Sequence, residues 1–573
     1  MDGSIRLNDI HFTYPGATEE SLRGADLTIE PREFVAIIGN NGSGKTSLCK
    51  VLNGLIPHFH RGDFSGEAEV AGQSVVQSGV AQLAFHVGYV YQDFENQLLR
   101  PKVADDVGFA PLNFGLDDYQ ERAERALQAM QLQEIRDRFV WELSGGQKHL
   151  AALGGVLALD PSIVVVDEPV AQLDPENAGL VYDRLAELNR KQGKTVLVIE
   201  HHTEFVAEYC DWVVLLDRGR VQWKLPVAEA LNRTEDLVAH DIFAPQVTQV
   251  AGECGIPSPL PTTLADATAR LRTAVPSLGP AAESEASTTN DGALITLDGL
   301  THYYPMLDRS HREVLSDLSL VIRAGENVAL VGSNGAGKST VLRLLAGIMR
   351  PSFGSVTIAG HDTRNVLVEE LNQEVSLVLQ NSQEMFIEDS VERDIGYFPT
   401  SFGMEDGAGL IAQVLERFRL TALADRDARL LSGGQQRRVS LAIGAVSRPS
   451  VLLMDEPTSS LDIANRRDVL AMLDELSAFV RCAIVATHDM ELVAEWATRV
   501  IVLEEGRLVA DGTPREVFSD PDLVRRARVR LPQVTRLCHR LNLRPVALTV
   551  SEFVARALQA RSPQPAPPEP DHG

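Results

Sequence analysis

The sequence predicts an α/β fold that occurs twice along one chain. Short apolar runs typical of buried strands alternate with helix-like stretches in both halves. A glycine-rich loop lies between such a run and a helix-like stretch at residues 39–46 and again at 332–339. The motifs that follow the first loop recur in the same order after the second, shifted by about 290 residues. A tandem duplication of about 270 residues is the simplest explanation.

Both loops fit the pattern G-x-x-x-x-G-K-[S/T], which binds nucleotide phosphates between a strand and a helix. Glycines let backbone N–H groups approach the phosphates, and the helix N-terminus adds partial positive charge. We expect Lys45 and Lys338 to reach the β- and γ-phosphates. A glycine-rich turn that matched the pattern by chance would not be expected twice between a strand and a helix. The hydroxyls of Thr46 and Ser339 are expected on Mg²⁺. The residues predicted to hold the nucleotide are Gly39, Asn40, Asn41, Gly42, Ser43, Gly44, Lys45 and Thr46 in the first copy, and Gly332, Ser333, Asn334, Gly335, Ala336, Gly337, Lys338, Ser339 and Thr340 in the second.

An apolar strand ends in two adjacent carboxylates in each copy. These pairs are Asp167-Glu168 and Asp455-Glu456. We expect the aspartate of each pair to hold Mg²⁺ through water and the glutamate to polarise the attacking water.

Each copy also carries an aromatic residue before the phosphate loop and a histidine after a later strand. Tyr14 and Tyr304 could stack on adenine, although an aromatic ring in a strand more often packs in the core. His201 and His488 follow apolar strands and could sense or stabilise the γ-phosphate.

Two more features recur. A buried-strand pattern ends on a glutamine, at Gln92 and at Gln380. The sequence Leu-Ser-Gly-Gly-Gln stands before a predicted helix at 143–147 and 431–435, and this second glycine-rich loop could offer a hydroxyl and backbone N–H groups to a phosphate. Its phosphate-facing residues would be Ser144, Gly145, Gly146 and Gln147 in the first copy, and Ser432, Gly433, Gly434 and Gln435 in the second.

A helix-rich insert separates the glutamine from the Leu-Ser-Gly-Gly-Gln motif. Within it, Ala123, Ala126, Leu127 and Met130 fall at i, i+3, i+4 and i+7. This spacing predicts an amphipathic helix that packs through one face.

The composition of the chain limits the number of domains and the classes of function that it can have. The chain has 573 residues, which suggests two to four domains. Lys and Arg total 53 and Asp and Glu total 79, so the formal charge of −26 argues against non-specific binding to nucleic acid or anionic lipid. The five cysteines form no C-x-x-C pair, which predicts no disulfide framework or zinc site and favours a reducing compartment. The start lacks an apolar signal core, and no run approaches the length of a membrane helix.

Domain boundaries follow from the repeat and from composition. Residues 276–291 are rich in Ala, Ser, Pro and Gly, and the end of the chain is rich in Pro. Outside the catalytic parts, Pro-Gln-Val-Thr occurs at 245–248 and again at 532–535. We predict a first domain at 1–240 with an extension at 241–275, a flexible linker at 276–292, a second domain at 293–525 with an extension at 526–561, and a disordered tail at 562–573.

In this order, and twice, these motifs resemble those of ATP-binding cassette (ABC) ATPases. The resemblance covers nearly the whole chain. It implies two P-loop NTPase domains in tandem, each with a mixed-sheet core and a helical subdomain, with ATP and Mg²⁺ as cofactors. It also implies that the two cassettes pair head to tail within the chain. Site one would combine Lys45, Gln92, Asp167, Glu168 and His201 with residues 432–435, and site two would combine Lys338, Gln380, Asp455, Glu456 and His488 with residues 144–147. The implied metal-binding residues are Thr46, Gln92, Asp167, Ser339, Gln380 and Asp455, and the implied catalytic residues are Glu168, Glu456, His201 and His488.

A finer resemblance is to cassettes of energy-coupling factor (ECF) importers of vitamins and metal ions. It rests on the glutamine-loop stretch at 92–97, the stretches at 103–111 and 113–116, and the Pro-Gln-Val-Thr extensions. Phe94 stands where that family usually has proline. The resemblance implies a transmembrane coupling protein and a small substrate-binding membrane protein as partners, and a peripheral location on the cytoplasmic face of the cell membrane.

The two copies differ near their predicted sites. Relative to the second copy, the first has Val170 for Thr458, Gln172 for Ser460, Leu150 for Arg438, and Glu200-His201-His202 for Thr487-His488-Asp489. All core groups remain, so we expect both sites to bind ATP. Unequal turnover is a hypothesis that these differences motivate.

Three alternatives stay open at this point. A soluble tandem cassette protein that acts on ribosomes or DNA tends to carry a long charged helical linker, a cysteine-bound metal cluster or basic arms, and this sequence has none of these. A tandem sugar-import ATPase usually has one degenerate site, whereas both copies here keep the lysine, the Leu-Ser-Gly-Gly-Gln motif and the glutamate. An exporter is also compatible, because a cassette does not encode the direction of transport.

Overall fold

The computed structural model describes residues 2–170, 173, 175–281, 292–305, 310–404, 406–458, 463–476 and 479–561. Gln172, Ser460, most of the predicted linker and the predicted tail at 562–573 lie outside these ranges. The chain divides into two compact units, one that ends at Pro245 and one that contains nearly all residues from Gln246 onward.

The first unit contains a four-stranded and a six-stranded sheet. Its strands are β1 (Ile5–Thr13), β2 (Leu22–Ile29), β3 (Phe34–Ile38), β4 (Asp63–Val70), β5 (Gln73–Ser74), β6 (Val87–Val90), β7 (Ile163–Asp167), β8 (Thr195–Ile199), β9 (Trp212–Asp217) and β10 (Arg220–Pro226). The antiparallel sheet has the order β2-β1-β4-β5, and the larger sheet has the order β10-β9-β3-β8-β7-β6. In the larger sheet only β10 runs antiparallel to its neighbour.

The helices of the first unit cover the large sheet and form the helical insert. They are α1 (Lys45–Leu52), α2 (Leu55–His58), α3 (Val80–Leu83), α4 (Val103–Val107), α5 (Phe109–Asn113), α6 (Tyr119–Ala129), α7 (Gly145–Leu157), α8 (Pro175–Arg190), α9 (Thr203–Tyr209), α10 (Val227–Ala230) and α11 (Thr234–Ala239). The predicted amphipathic helix is α6, and its face of Ala123, Ala126, Leu127 and Met130 is buried as expected.

The second unit repeats both sheets. Its strands are β11 (Ala293–Pro305), β12 (His311–Arg323), β13 (Asn327–Val331), β14 (Phe353–Ile358), β15 (His361–Asp362), β16 (Val375–Val378), β17 (Val451–Asp455), β18 (Cys482–Ala486), β19 (Arg499–Glu504) and β20 (Arg507–Gly512). The orders are β12-β11-β14-β15 and β16-β17-β18-β13-β19-β20. Two matching α/β units therefore confirm the predicted fold class.

The helices of the second unit come from two parts of the sequence. Those that precede the second cassette are α12 (Gln246–Glu253) and α13 (Leu264–Ala274). The others are α14 (Lys338–Leu345), α15 (Val368–Leu371), α16 (Val391–Ser401), α17 (Gly407–Arg417), α18 (Gly433–Val446), α19 (Ile463–Leu476), α20 (Met490–Trp496), α21 (Pro514–Ser519), α22 (Pro521–Ala527), α23 (Gln533–Leu541) and α24 (Val550–Arg561).

The Pro-Gln-Val-Thr extensions pack against each other within the second unit. Helices α12 and α13 share one apolar cluster with α23 and α24, centred on side chains such as Val250, Leu271, Leu537 and Phe553. The start of the predicted linker is held against the same cluster, because Gly279 donates to the carbonyl oxygen of Arg556 at 2.9 Å.

The parallel strands explain where the functional groups lie. Strands β3, β7 and β8 are adjacent and buried along their whole length, as expected for a sheet covered on both faces. Their carboxyl ends meet at one edge, so the residues that follow them are brought together. Among the described helices, none is both long and apolar enough to span a membrane.

Candidate functional site

The phosphate loop of the first unit connects β3 to α1. Gly44 precedes the helix with φ of 101°, in the left-handed region that favours glycine. A Cβ at Gly39 would overlap the carbonyl oxygen of Leu216. The loop therefore needs glycine at both positions to pass close to its neighbours.

Lys45 is oriented by the loop itself. Its Nζ donates to the carbonyl oxygens of Gly39 and Asn40 at 2.7 and 2.8 Å, and the residue is only 6% exposed. The buried Ser43 hydroxyl has no hydrogen-bond partner. A buried cation beside an unsatisfied hydroxyl at a helix N-terminus is suited to an anion such as a phosphate group.

The second unit has the same loop geometry. Lys338 Nζ donates to the carbonyl oxygens of Gly332 and Ser333 at 2.7 and 3.3 Å. Gly337 has φ of 103° and precedes α14. Ala336 stands where the first unit has Ser43, so the unsatisfied hydroxyl is specific to the first loop.

A hydroxyl and a carboxylate lie together next to each loop. Thr46 Oγ1 donates to Asp167 Oδ2 at 3.1 Å, and Tyr89 donates to the same oxygen at 2.9 Å. In the second unit the Ser339 hydroxyl hydrogen-bonds to Asp455. Hard oxygen donors of this kind suit Mg²⁺, with phosphate oxygens and water as further ligands. Over the described part of the chain, no group of three or more His, Cys, Asp and Glu side chains is placed to hold a metal ion.

Both aspartates carry an electrostatic penalty for being charged. Burial raises the pKa of Asp167, and the neighbouring Glu168 raises it further. Burial likewise raises the pKa of Asp455, with a further contribution from Glu456. A bound divalent cation would offset this penalty, which is consistent with a metal at this position.

Glu168 follows β7 in an unusual backbone conformation. Its φ is 52°, which is costly for a residue with a side chain and recurs at Glu456, where φ is 47°. Gln92 Nε2 donates to Glu168 Oε2 at 2.7 Å. His201 Nε2 lies 3.3 Å from Glu168 Oε1 without forming a hydrogen bond. The structure thus brings three predicted residues of site one together.

Glu456 has different partners. It accepts from Thr487 Oγ1 at 3.0 Å and contacts His488 Nδ1 at 2.9 Å. Burial opposes its ionisation, but His488 outweighs that effect, so the pKa of Glu456 is lowered. Burial also opposes protonation of His488, and Glu456 outweighs it, so the pKa of His488 is raised. Charge on the glutamate and charge on the histidine therefore favour each other in this unit.

The two predicted glutamines are placed differently. Gln92 is half-buried against Glu168, whereas Gln380 is exposed. In the second unit the backbone of this loop is fixed, because buried Arg437 donates to the carbonyl oxygens of Leu379 and Gln380 at 2.9 and 2.6 Å. Burial lowers the pKa of Arg437 to about 10, so it remains charged at neutral pH.

The corresponding residue in the first unit is His149. Its ring lies 4.5 Å from that of Phe94 and is fully buried, and neither ring nitrogen has a hydrogen-bond partner. Burial lowers the pKa of His149 to about 4, so the ring is neutral. The first unit therefore uses an apolar contact where the second uses a cation.

Each Leu-Ser-Gly-Gly-Gln motif begins a helix of its own unit. Ser144 accepts from the backbone N–H of Gln147 at 3.3 Å and caps α7. Ser432 accepts from Gln435 in the same way at 3.4 Å and caps α18. Ser144 and Ser432 are exposed, so the helix N-termini could face a ligand.

Tyr14 and Tyr304 lie beside the helices that follow the phosphate loops. The Tyr14 hydroxyl is 3.2 Å from Ser47 Oγ, and the Tyr304 hydroxyl is 3.4 Å from Thr340 Oγ1. The Tyr14 ring also packs edge-on against Phe12 at 4.7 Å. This ring packs against the core of the first unit. Stacking of either ring on adenine stays a prediction.

Comparison with protein families identifies the family to which the chain belongs. The model for "ABC transporter" matches residues 22–171 and 315–459, the two segments that carry the phosphate loops and the paired carboxylates. The chain belongs to the ABC transporter ATP-binding family. Membership of this family implies that the chain binds and hydrolyses ATP.

Relatives of this ABC protein span its whole length. A protein from Methanosarcina acetivorans, provisionally named ABC transporter ATP-binding protein, is 33% identical over 98% of this chain and 94% of its own. One from Caldanaerobacter subterraneus with the same provisional name is 30% identical over 97% and 99%.

Solved structures match single parts of the chain. One is cbiO1 from Clostridium perfringens, part of the ABC transporter complex cbiONQ, with 28% identity, a TM-score of 0.38, and coverage of 44% of this chain and 100% of that one. Another is an ATP-binding cassette in a post-hydrolysis state bound to ADP and Pi, with 25% identity, a TM-score of 0.34, and coverage of 39% and 98%.

Sequence reasoning missed several residues that shape the ABC sites. Tyr89 was part of a recognised strand, but its hydroxyl could not be assigned to Asp167 without the sheet register. Glu200 differs from the corresponding Thr487, and it accepts a hydrogen bond from the buried Tyr182 hydroxyl at 2.6 Å. Glu200 also accepts from the backbone N–H of His201 and His202, both at 2.8 Å, so it orients the histidine segment.

Proposed function

We propose that this ABC protein is the ATP-hydrolysing subunit of an ECF-type importer that takes up a vitamin or a metal ion. It works as a peripheral protein on the cytoplasmic face of the membrane. A transmembrane coupling protein receives the motion of the two cassettes, and a small membrane protein captures the substrate.

One observation carries the ATPase assignment: each unit holds a complete set of reacting groups. A lysine in the phosphate loop, a hydroxyl bonded to an aspartate, and a glutamate beside a histidine lie at one edge of each large sheet. Bound Mg²⁺ would neutralise charge on the β- and γ-phosphates. Lys45 and Lys338 would orient the phosphates.

The glutamates Glu168 and Glu456 would accept a proton from the attacking water while the adjacent histidines stabilise the γ-phosphate. A catalytic glutamate contributes at least about 10² in rate, or roughly 3 kcal/mol of barrier.

The family resemblance supports a paired mechanism. The serine and glycines at 432–435 would complete site one, and those at 144–147 would complete site two. ATP would draw the two cassettes together, and hydrolysis would let them separate. An intramolecular pair is favoured, because a linker raises effective concentration to roughly millimolar.

The ECF assignment is supported by two features of this chain. The glutamine-loop stretch at 92–97 resembles that of ECF cassettes. The Pro-Gln-Val-Thr extensions also resemble those of tandem proteins of that group, and here they form a packed core of their own.

An exposed apolar groove beside the glutamine loop supports contact with a membrane partner. In the first unit this groove encloses about 310 Å³. Its apolar lining consists of Leu98, Leu99, Pro101, Val140 and Trp141, and the charged side chains of Glu95, Arg100 and Lys148 line the rest of it. Leu99 and Trp141 are each 63% exposed, although large apolar side chains are normally buried. A short apolar segment of the transmembrane coupling protein would cover them.

The proposal can be tested by purifying the tagged chain from its native host after gentle detergent solubilisation and identifying associated proteins by mass spectrometry. Small multi-helix membrane proteins in fixed ratio are expected. Ribosomal proteins or nucleic acid, with nothing from the membrane, would replace transport by a role on ribosomes or DNA.

A pair of variants sharpens this experiment. Trp141→Asp should abolish association with the membrane proteins and leave basal ATPase activity in place, because the groove lies outside the predicted reacting groups. Val238→Asp is the matched control, since Val238 is 50% exposed outside the groove and should change neither property. Equal loss of association in both variants would contradict the assigned docking surface.

A further inference from the structure

The two extensions hold each other by a reciprocal pair of hydrogen bonds. Gln246 Oε1 accepts from the backbone N–H of Val534 at 2.9 Å. Gln533 Oε1 accepts from the backbone N–H of Val247 at the same distance. Each glutamine thus satisfies an otherwise unpaired N–H at the start of the opposite helix, α23 or α12.

Gln246 has a second contact that leads out of the extension pair. Its Nε2 donates to Glu491 Oε1 at 2.9 Å. Glu491 lies in the first turn of α20, three residues after His488. The extension of the first cassette therefore contacts the helix that carries the histidine segment of site two.

A charged network continues from Glu491 towards the reacting carboxylate. Arg466 donates to Glu491 Oε2 at 2.7 Å and to Asp489 at 2.8 and 3.2 Å. The Arg466 side chain is 15% exposed, so these bonds are poorly screened by water. Asp489 in turn caps α20 by accepting from the backbone N–H groups of Glu491 and Leu492.

The last step reaches Glu456. The backbone N–H of Asp489 donates to Thr487 Oγ1 at 3.0 Å, and that hydroxyl donates to Glu456 Oε2 at 3.0 Å. Between Asp489 and Thr487 stands His488, which contacts the other oxygen of Glu456. One continuous set of hydrogen bonds thus runs from Gln246 to the carboxylate of site two.

The charged part of this network depends on two residues that differ between the cassettes. The positions of Arg466 and Asp489 correspond to Ala178 and His202 in the first cassette, whose side chains cannot make the same ion pairs. There Glu200 holds the histidine segment from within the cassette. In the second cassette, Arg466 and Asp489 join the contact of Gln246 with Glu491 to the segment that holds His488.

We propose that Gln246 is a positioning residue for ATP hydrolysis at site two, acting through Glu491 and Arg466 on the segment that holds His488 and Glu456. The first cassette's extension therefore does more than join the two halves. It sets the orientation of the reacting carboxylate of the other half. The inference rests on the proposed function in that it takes Glu456 to be the catalytic glutamate.

The test uses the full chain with Glu168→Gln, so that ATP turnover reports site two. Gln246→Glu keeps the acceptor for Val534 but loses the donor and places a second carboxylate against Glu491. We expect kcat to fall five- to tenfold while KM for ATP changes less than twofold. Combining it with Glu491→Gln restores the donor–acceptor pair with the partners exchanged, and should return kcat to within twofold of the parent.

Several outcomes would overturn the proposal. Gln246→Glu with unchanged kcat would do so, and so would a double variant no faster than the single one, because a role limited to packing would not be rescued. If Gln246→Glu fails to fold, Gln246→Met removes both the donor to Glu491 and the acceptor for Val534 without adding charge, and it should still lower kcat at least threefold. Glu253→Gln, an exposed carboxylate on the same helix α12, should change nothing.

A further variant separates this inference from the proposed function. Glu456→Gln in the same background should abolish the remaining turnover. If it does not, the assignment of the catalytic glutamate is wrong and the positioning role falls with it. If it does, while Gln246→Glu and Gln246→Met leave kcat unchanged, only the positioning role is wrong.

Discussion

Gln92 donates a hydrogen bond of 2.7 Å to the carboxylate of Glu168. In the second cassette the corresponding Glu456 is instead held by Thr487 and His488. The same order of motifs thus places the two carboxylates in different environments. Because a carboxylate that polarises water must be fixed in orientation, this difference bears directly on how fast each site hydrolyses ATP.

We predict that Glu456→Gln lowers the steady-state ATPase rate more than Glu168→Gln does, by at least about threefold. The reason is that Glu456 is fixed by the Thr487 hydroxyl and by His488. Glu168 is instead tied to Gln92, which must turn away to reach a metal ion. Phosphate release by the purified chain at saturating Mg-ATP measures both rates.

Binding of ATP provides the control for this comparison. Both variants should keep their affinity for ATP, since replacing a carboxylate by an amide leaves the phosphate loops intact. Equal losses of ATPase activity in the two variants would refute the predicted asymmetry.

The hydrogen bond from Tyr89 to Asp167 leads us to predict an effect of Tyr89 on magnesium binding at site one. Tyr89→Phe removes one of the two side-chain donors to the buried Asp167 Oδ2 and leaves Thr46 as the other. A hydrogen bond to a charged group contributes about 1.5–3 kcal/mol, so the Mg²⁺ concentration needed for half-maximal ATP binding should rise by at least about tenfold. Titration of a fluorescent ATP analogue with Mg²⁺ measures this.

Tyr91→Phe is the matched control for Tyr89→Phe. Tyr91 is two residues away, is 36% exposed, and its side chain is placed outside the Asp167 hydrogen bonds. An equal shift in both variants would show that the effect does not pass through Asp167. In the second cassette Leu377 occupies the position of Tyr89, so its Mg²⁺ dependence lacks this contribution.

Local patterns predicted the elements of this fold well, for a physical reason. The strands before Gly39 and Asp167 are buried on both faces and therefore read as continuous apolar runs. The phosphate loop needs glycine at fixed positions, so its chemistry is visible in the sequence alone. Helix α6 was predicted from the spacing of its buried face for the same kind of reason.

The residues that distinguish the two sites were harder to predict because they depend on contacts distant in sequence. Tyr89 and Asp167 are 78 positions apart, and Gln246 and Glu491 are 245 apart. Only sheet register and helix packing bring them together. The departures at Glu200 and Thr487 were visible in the sequence, but their hydrogen-bond partners were not.

We predict that Arg437 holds the loop of the second cassette that contains Gln380. Arg437→Met leaves the carbonyl oxygens of Leu379 and Gln380 without their buried donor, which should cost about 2–4 kcal/mol of unfolding free energy. ATP turnover at site two should fall as well, because Gln380 loses its fixed backbone. Urea unfolding and ATPase rates in the Glu168→Gln background measure the two effects.

A conservative variant tests whether the effect comes from the fork of the guanidinium group. Arg437→Lys keeps the charge but presents a single nitrogen, so it should lie between the parent and Arg437→Met. If Arg437→Lys and Arg437→Met match the parent in both measurements, the two carbonyl contacts do not position the loop.

Because His149 is buried, we predict that the stability of the first unit depends on pH. Burial lowers the pKa of His149 to about 4, whereas an unfolded histidine has a pKa of about 6.5. Below pH 6.5 the unfolded chain binds a proton that the folded chain does not, so stability falls as the pH drops through this window, by about 2 kcal/mol at pH 5. His149→Leu removes the imidazole and should make the unfolding free energy less sensitive to pH between 7 and 5, as measured by urea unfolding at both values.

The exposed His361 is the control, because His361→Leu should keep the decline in unfolding free energy that the parent shows. A decline in His149→Leu as steep as that in His361→Leu would mean that another group takes up the proton.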